Sequence, residues 1–187
     1  MLINSLLDVS SILIDIIPIY YHYDYIESID SNVKSIHLPD RICDDEEYTI
    51  FNFSRFILLE ELEVGSNSFM YVNEFKIDGL NELKSLKIGS DSFTHLKSSN
   101  WDSDKAKNTN RSFQILNCIE LESIEIGSYS FSDYGGGFEL RNLPKLSTIK
   151  IGEIESDSRN FWYSSFVIKG IIDMILLMNR SSKFEFD

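Results

Sequence analysis

Apolar residues return along this chain in one short phrase. L-E-E-L-E-V-G begins at Leu59, L-K-S-L-K-I-G at Leu83, L-E-S-I-E-I-G at Leu121 and L-S-T-I-K-I-G at Leu146, and a looser V-K-S-I-H-L-P begins at Val33. Within each phrase two apolar residues stand two apart, as Leu86 and Ile88 do. Both then face one side of a short strand, while Ser85 and Lys87 face the other. The spacing predicts Leu86, Ile88, Ile124, Ile126, Ile149 and Ile151 as core, and Lys87, Glu125 and Lys150 as solvent-facing. Gly89 follows the strand and reads as a sharp turn. Ser92 is a hydroxyl suited to bonding local backbone in that turn, and Phe93 re-enters the interior as a large apolar plug.

The phrase has a second half. F-K-I begins at Phe75, F-Q-I at Phe113 and F-E-L at Phe138, and Phe51 fits the same frame. This predicts a second short strand on an opposite wall, so one coil has two walls and two corners. A single coil cannot bury its own leucines, and at least about three must stack. The expected architecture is mainly β, a solenoid of about five to six coils over residues 26–178 with a short parallel sheet on each wall. Its last unit opens at Phe166 and loses the pattern after Leu177. Residues 1–25 are expected to form a helical cap, because Leu2, Leu6, Val9, Leu13 and Ile16 recur at helical spacing and Pro18 would end the helix. Residues 179–187 are left as a tail.

Stacking in register turns single positions into columns. One outward column reads His37, Glu63, Lys87, Glu125, Lys150, with alternating sign at about 4.8 Å spacing. The next reads Ser35, Glu61, Ser85, Ser123, Thr148, small and mostly hydroxylated, where a partner can approach closely. Lys84, nearer the start of its strand, is expected to matter less to the charge ladder than Lys87.

One insertion breaks the period. Residues 94–112 add about half a coil, carry Lys97, Lys105, Lys107 and Arg111 against Asp102 and Asp104, and include Trp101. The repeat frame resumes at Phe113, so the segment reads as a surface loop dispensable for folding and available for binding. The alternative is that Trp101 folds back onto its own coil.

Composition narrows the function. A formal net charge of −13 argues against nucleic acid, whose binding relies on lysine and arginine at phosphates, and against adsorption to an anionic membrane. His22, His37 and His95 lack metal-ligand spacing with any other His, Cys or acid, and no phosphate loop, dinucleotide fingerprint or nucleophile elbow occurs. D-Y-G-G-G-F at Asp133 reads as a turn, and D-D-E-E at Asp44 as a solvated acidic loop. Cys118 replaces a core leucine of the repeat, and Cys43 lies in a non-adjacent coil, too far for a bridge that needs Cα atoms within about 7 Å. The N-terminal segment lacks a basic region and is interrupted by Asp8 and Asp15, a poor signal peptide. A cytoplasmic location is therefore slightly favoured, and no cofactor is expected.

The L-x-x-L-x-I core, the Gly or Pro directly after it and the S-F step resemble the leucine-rich-repeat family in its BspA-like subtype, over roughly residues 26–178. The resemblance implies a right-handed, mainly β solenoid used as a recognition surface. The expected function is a non-enzymatic module that presents the strand face and the insertion to a protein partner. The residues for this are Glu61, Glu63, Ser85, Lys87, Ser123, Glu125, Thr148 and Lys150 on the face, with Trp101, Lys105 and Lys107 on the insertion. The rival reading is a structural or cell-surface adhesion fragment of a longer repeat protein.

Overall fold

A computed structural model describes residues 11–13, 26, 28–102, 107–153, 157–171 and 175–178. It is a β-solenoid of about five turns. The first wall, wall A, is a seven-stranded parallel sheet ordered β1 (Ser11–Leu13), β2 (Ser35–Leu38), β4 (Glu61–Val64), β6 (Ser85–Ile88), β8 (Ser123–Ile126), β10 (Thr148–Ile151), β12 (Ile175–Met178). Wall B is a five-stranded parallel sheet ordered β3 (Ile50–Asn52), β5 (Glu74–Asp78), β7 (Ser112–Leu116), β9 (Phe138–Arg141), β11 (Phe166–Lys169). From β2 onwards the described strands alternate between the walls, so the core lies between them. Leu86, Ile88, Ile124, Ile126, Ile149 and Ile151 are all buried, and Lys87, Glu125 and Lys150 are exposed, as the spacing requires.

The helical cap is corrected at its centre. Ser11–Leu13 is a strand that continues wall A, with Ser11 beside Ser35 and Ile12 beside Ile36. The signal is present in the sequence: V-S-S-I-L-I at Val9 matches V-K-S-I-H-L at Val33. Helical spacing competed with a degenerate copy of the repeat, and the exposed backbone groups of β2 satisfy themselves by pairing with that copy. The rest of residues 1–25, and the tail 179–187, lie outside the described residues.

Two ladders of phenylalanine fill the interior. Phe51, Phe75, Phe113 and Phe138 stack from one wall B strand to the next at 4.7, 4.7 and 4.8 Å between ring centroids. Phe69, Phe93, Phe131 and Phe161, from the S-F corners, stack at 5.0, 4.8 and 5.1 Å. The ladders meet edge-on, as Phe75 and Phe93 do at 89°, the arrangement favoured by the ring quadrupole.

The corner that links wall A to the second ladder is held by hydroxyls that reach across coils. Ser92 Oγ donates to Gly65 O at 2.9 Å and accepts from Ser68 N at 3.2 Å. Ser130 repeats this, donating to Gly89 O at 2.6 Å and accepting from Ser92 N at 3.0 Å. The reading of Ser92 as a local turn bond therefore changes: its shorter bond ties two coils together. Gly89 also acts differently from the expectation. It shows no positive φ; instead a Cβ there would lie 2.5 Å from Ser66 N in the previous coil. Glycine is needed because adjacent corners approach closely. Positive φ falls on Asp91 (56°) and Phe93 (56°), and on their counterparts in neighbouring coils, such as Asn67, Phe69, Tyr129 and Phe131. The opposite corner uses residues better suited to that region: Gly79, Asn117, Asn142 and Gly170.

Cys43 and Cys118 are both buried free thiols. Burial pushes Cys43 up to about 12 and Cys118 up to about 11.

Candidate recognition surface

The outward columns of wall A form as the register demands. His37 lies beside Glu63, Glu63 beside Lys87, Lys87 beside Glu125 and Glu125 beside Lys150. Ser35, Glu61, Ser85, Ser123 and Thr148 form the adjacent column. The eight sequence-selected face residues thus share one surface. Their ion pairs are uneven. Lys87 Nζ donates to Glu63 Oε1 at 2.6 Å, and Glu63 Oε2 faces His37 Nδ1 at 3.0 Å. Lys87 first, and then His37, holds the Glu63 carboxyl below the usual carboxylate range against the opposing effect of burial. Glu125 only attracts Lys87 from farther away. Among the described residues, Glu125 closes no ion pair with Lys87 or Lys150. An exposed pair such as Lys87–Glu63 contributes about 0.2–1 kcal/mol.

A third column, absent from the sequence reading, carries the shortest link. Glu60 accepts from Lys34 at 2.7 Å and from Lys84 at 2.5 Å, one through each carboxylate oxygen. These two bonds lower the Glu60 carboxyl from 4.5 to about 2. Lys84 is therefore paired as closely as Lys87. Along the edge of this face runs a shallow groove of about 240 Å³, lined among others by Lys87, Ser90, Glu125, Ser128 and Lys150.

The insertion has two parts. Its ends are core. Thr94 and Arg111 are fully buried, and Thr94 Oγ1 lies 2.7 Å from Ser132 Oγ. Arg111 Nη1 donates to both oxygens of Asp133, at 2.8 and 2.7 Å, and Nε donates to Asn73 Oδ1 at 3.2 Å. Its Nη2 donates to Met70 O. Residues 94–112 as a whole are thus not a dispensable loop. Sequence reasoning counted Arg111 as a surface cation because its partner lies one coil away. The triple-glycine corner is the matching half: Asn108 bridges Tyr134, and a Cβ on Gly136 would lie 2.5 Å from Thr109 O.

The middle of the insertion stays near the surface. A 3₁₀ turn, Ser98–Asn100, leads to Trp101, whose ring lies 6.2 Å from Tyr129 and 6.0 Å from Trp162. The Arg159 guanidinium sits 4.7 Å from the Trp101 ring. Trp101 therefore leans onto the following coils rather than its own. Lys107 is exposed, and Lys105 lies outside the described residues. Tyr129, Arg159 and Trp162 escaped the sequence reading; their signal is that each occupies or adjoins a corner position of the repeat.

Asp44, read as solvated, instead accepts from Met70 N at 2.8 Å. Among the described residues, no cluster of three or more His, Cys, Asp or Glu is placed to hold a metal, and no helix is long and apolar enough to cross a membrane. No family model, curated protein or solved structure matches this chain.

Proposed function

We propose that this chain is a protein-interaction module of the leucine-rich-repeat kind, and that wall A is its recognition face. The observation that carries the reading is the outer face of that sheet. Three adjoining columns of polar side chains stand on a backbone whose register is fixed over five successive strands, β2 to β10. A rigid scaffold with variable outward residues binds without the ordering cost that a flexible surface bears. The cluster of Trp101, Tyr129, Trp162 and Arg159 extends the surface around one corner with residue types enriched at interface hot spots. The protein partner is met through mixed charge, Glu125 and Lys150 being the charged side chains on this face that are least engaged within it.

The test is affinity capture from the source cell with mass spectrometry. Wild-type chain is compared with Glu125→Lys/Lys150→Glu and with Trp101→Ala/Trp162→Ala, each checked for folding by circular dichroism. Loss of the same captured protein in the face variant supports the reading. An identical capture profile for all three chains defeats it. A second reading, a structural or adhesion unit within a longer stack, has one observation in its favour. The polar columns end in apolar residues on β12, with Ile175 60% and Leu177 38% exposed. Addition of further coils should then raise thermal stability while capture stays absent.

A further inference from the structure

We infer that Ser35 is a nucleophile, a hydroxyl activated by His37 that accepts small acyl groups from activated esters. Ser35 and His37 stand two apart on β2, so the pleat sets both on the same face. Ser35 Oγ lies 2.9 Å from His37 Nε2, and Glu63 Oε2 lies 3.0 Å from His37 Nδ1. A hydroxyl on one imidazole nitrogen and a carboxylate on the other is the connectivity that makes a serine oxygen nucleophilic. With Nδ1–H donated to Glu63, Nε2 keeps its lone pair for the hydroxyl proton. Glu63 is the positioning residue, and Lys87 anchors its second oxygen at 2.6 Å.

Two details shape the reactivity. Ser35 has one proton and two acceptors, because Glu61 Oε2 lies 3.1 Å from the same oxygen. A hydroxyl proton turned to Glu61 leaves the oxygen without its base, which silences the serine. A hydroxyl proton turned to Nε2 is placed for transfer to the imidazole. The charged groups facing His37 are Glu61 and Glu63 from β4, with Lys87 behind Glu63 on β6. β2 is paired on both sides, with β1 and with β4, and no oxyanion site is invoked here. The gain is then that of general-base catalysis alone, about 10²–10⁴-fold. Ser35 retains 8% of its surface, which limits the donor to small, unhindered acyl groups.

The step balances with an aryl ester as donor. Ser35 Oγ attacks the carbonyl carbon as its proton passes to Nε2. The carbon–aryloxy bond breaks, and the aryloxide takes the proton from the imidazolium. Water then attacks the acyl–serine carbonyl through the same base, releasing the acid and restoring the hydroxyl. The repeat supplies internal controls: Ser85 and Ser123 share the column with Ser35, but Lys87 and Glu125 stand where His37 stands.

The experiment treats the full chain with p-nitrophenyl acetate and locates the acetyl group by peptide mapping. Acetylation is expected at Ser35 and not at Ser85 or Ser123. His37→Gln should slow it at least ~10²-fold. Glu63→Gln should lower the rate and alter its pH profile. Glu61→Ala should raise the rate by removing the competing acceptor, a gain that unfolding at this site would not produce. Circular dichroism confirms that each variant is folded. Acetyl found only on lysines, equal acetylation of the three serines, or an unchanged rate in folded His37→Gln overturns the inference.

Discussion

Two corners of this solenoid join the same walls at very different lengths. Residues 70–74 pass from Phe69 to wall B by a short path, whereas residues 94–112 make the same passage one coil later and still deliver Phe113 beside Phe75. The short corner is closed by backbone bonds, such as Val72 N to Phe69 O at 3.2 Å. The long one is closed by side chains: buried Arg111 reaches forward to Asp133 and backward to Asn73 and the Met70 carbonyl. Length added to a repeat is thus absorbed by its neighbours. The coil that follows carries a glycine-rich corner that the inserted backbone lies against.

The most forceful way to break this comparison is at Arg111. Arg111→Met leaves the Asp133 carboxylate buried without its partner, and removing one member of a buried pair costs about 3–5 kcal/mol. Arg111→Met/Asp133→Leu should recover much of that loss, since a buried pair is often replaceable by apolar residues. Urea denaturation of both variants measures the difference. A loss below about 1 kcal/mol for the single variant would return the insertion to the status of a surface bulge.

Gly136 tests the matching half. Gly136→Ala places a methyl group 2.5 Å from Thr109 O and 2.7 Å from Arg111 O, so the inserted backbone must shift. Overpacking of this sort costs about 1–3 kcal/mol. Gly79, in the opposite corner of the coil before the insertion, has free space around a Cβ but a φ of +75°. Gly79→Ala should therefore destabilise only through backbone strain, about 1 kcal/mol. Equal losses caused by contact at both sites, visible as equal shifts of amide signals across the insertion, would contradict the pairing of corners.

What the sequence made legible follows from period. Leu86, Ile124 and Ile149 repeat a strand pattern, so their burial and the order of the outward columns could be read directly. Arg111 could not be read, because a buried cation is recognised by its partner, and Asp133 is joined to it by stacking rather than by spacing. Gly89 could be seen but its cause could not: the close approach of Ser66 exists only between coils. The Ser35–His37–Glu63 connectivity was hidden in the same way. Serine and histidine are two apart in sequence, while the carboxylate comes from the next strand.

The charge columns sharpen the comparison at smaller scale. On the side away from the insertion Lys87 closes a pair with Glu63, and on the insertion side it leaves Glu125 at longer range. Lys87→Glu would set three acids in a row, with a loss of about 1 kcal/mol at low salt that shrinks as ionic strength rises. Lys84→Glu should be destabilising in the same direction, because it breaks the Glu60 fork. Thermal midpoints at two salt concentrations suffice. A silent Lys84→Glu beside a harmful Lys87→Glu would restore the simpler single-column picture.

The smallest effect belongs to Glu60, and it is best seen through pH. The Glu60 carboxyl lies at about 2 in the folded chain against an ordinary 4.5, chiefly through its bonds from Lys34 and Lys84. A carboxyl depressed by folding stabilises fully above its unfolded value and loses that contribution as pH falls towards its folded value. The stability difference between wild type and Glu60→Gln should therefore be constant at neutral pH and shrink between about pH 4.5 and 2. The fork is exposed, so added salt should reduce the neutral-pH difference as well. Denaturant midpoints for both chains across this range test the point. Other carboxylates titrate there too, so only the difference between the two chains reports on Glu60. A difference that stays flat from neutral pH to the acid limit would mean that Lys34 and Lys84 do not clasp Glu60 in solution, and the third column would be a row of independent charges.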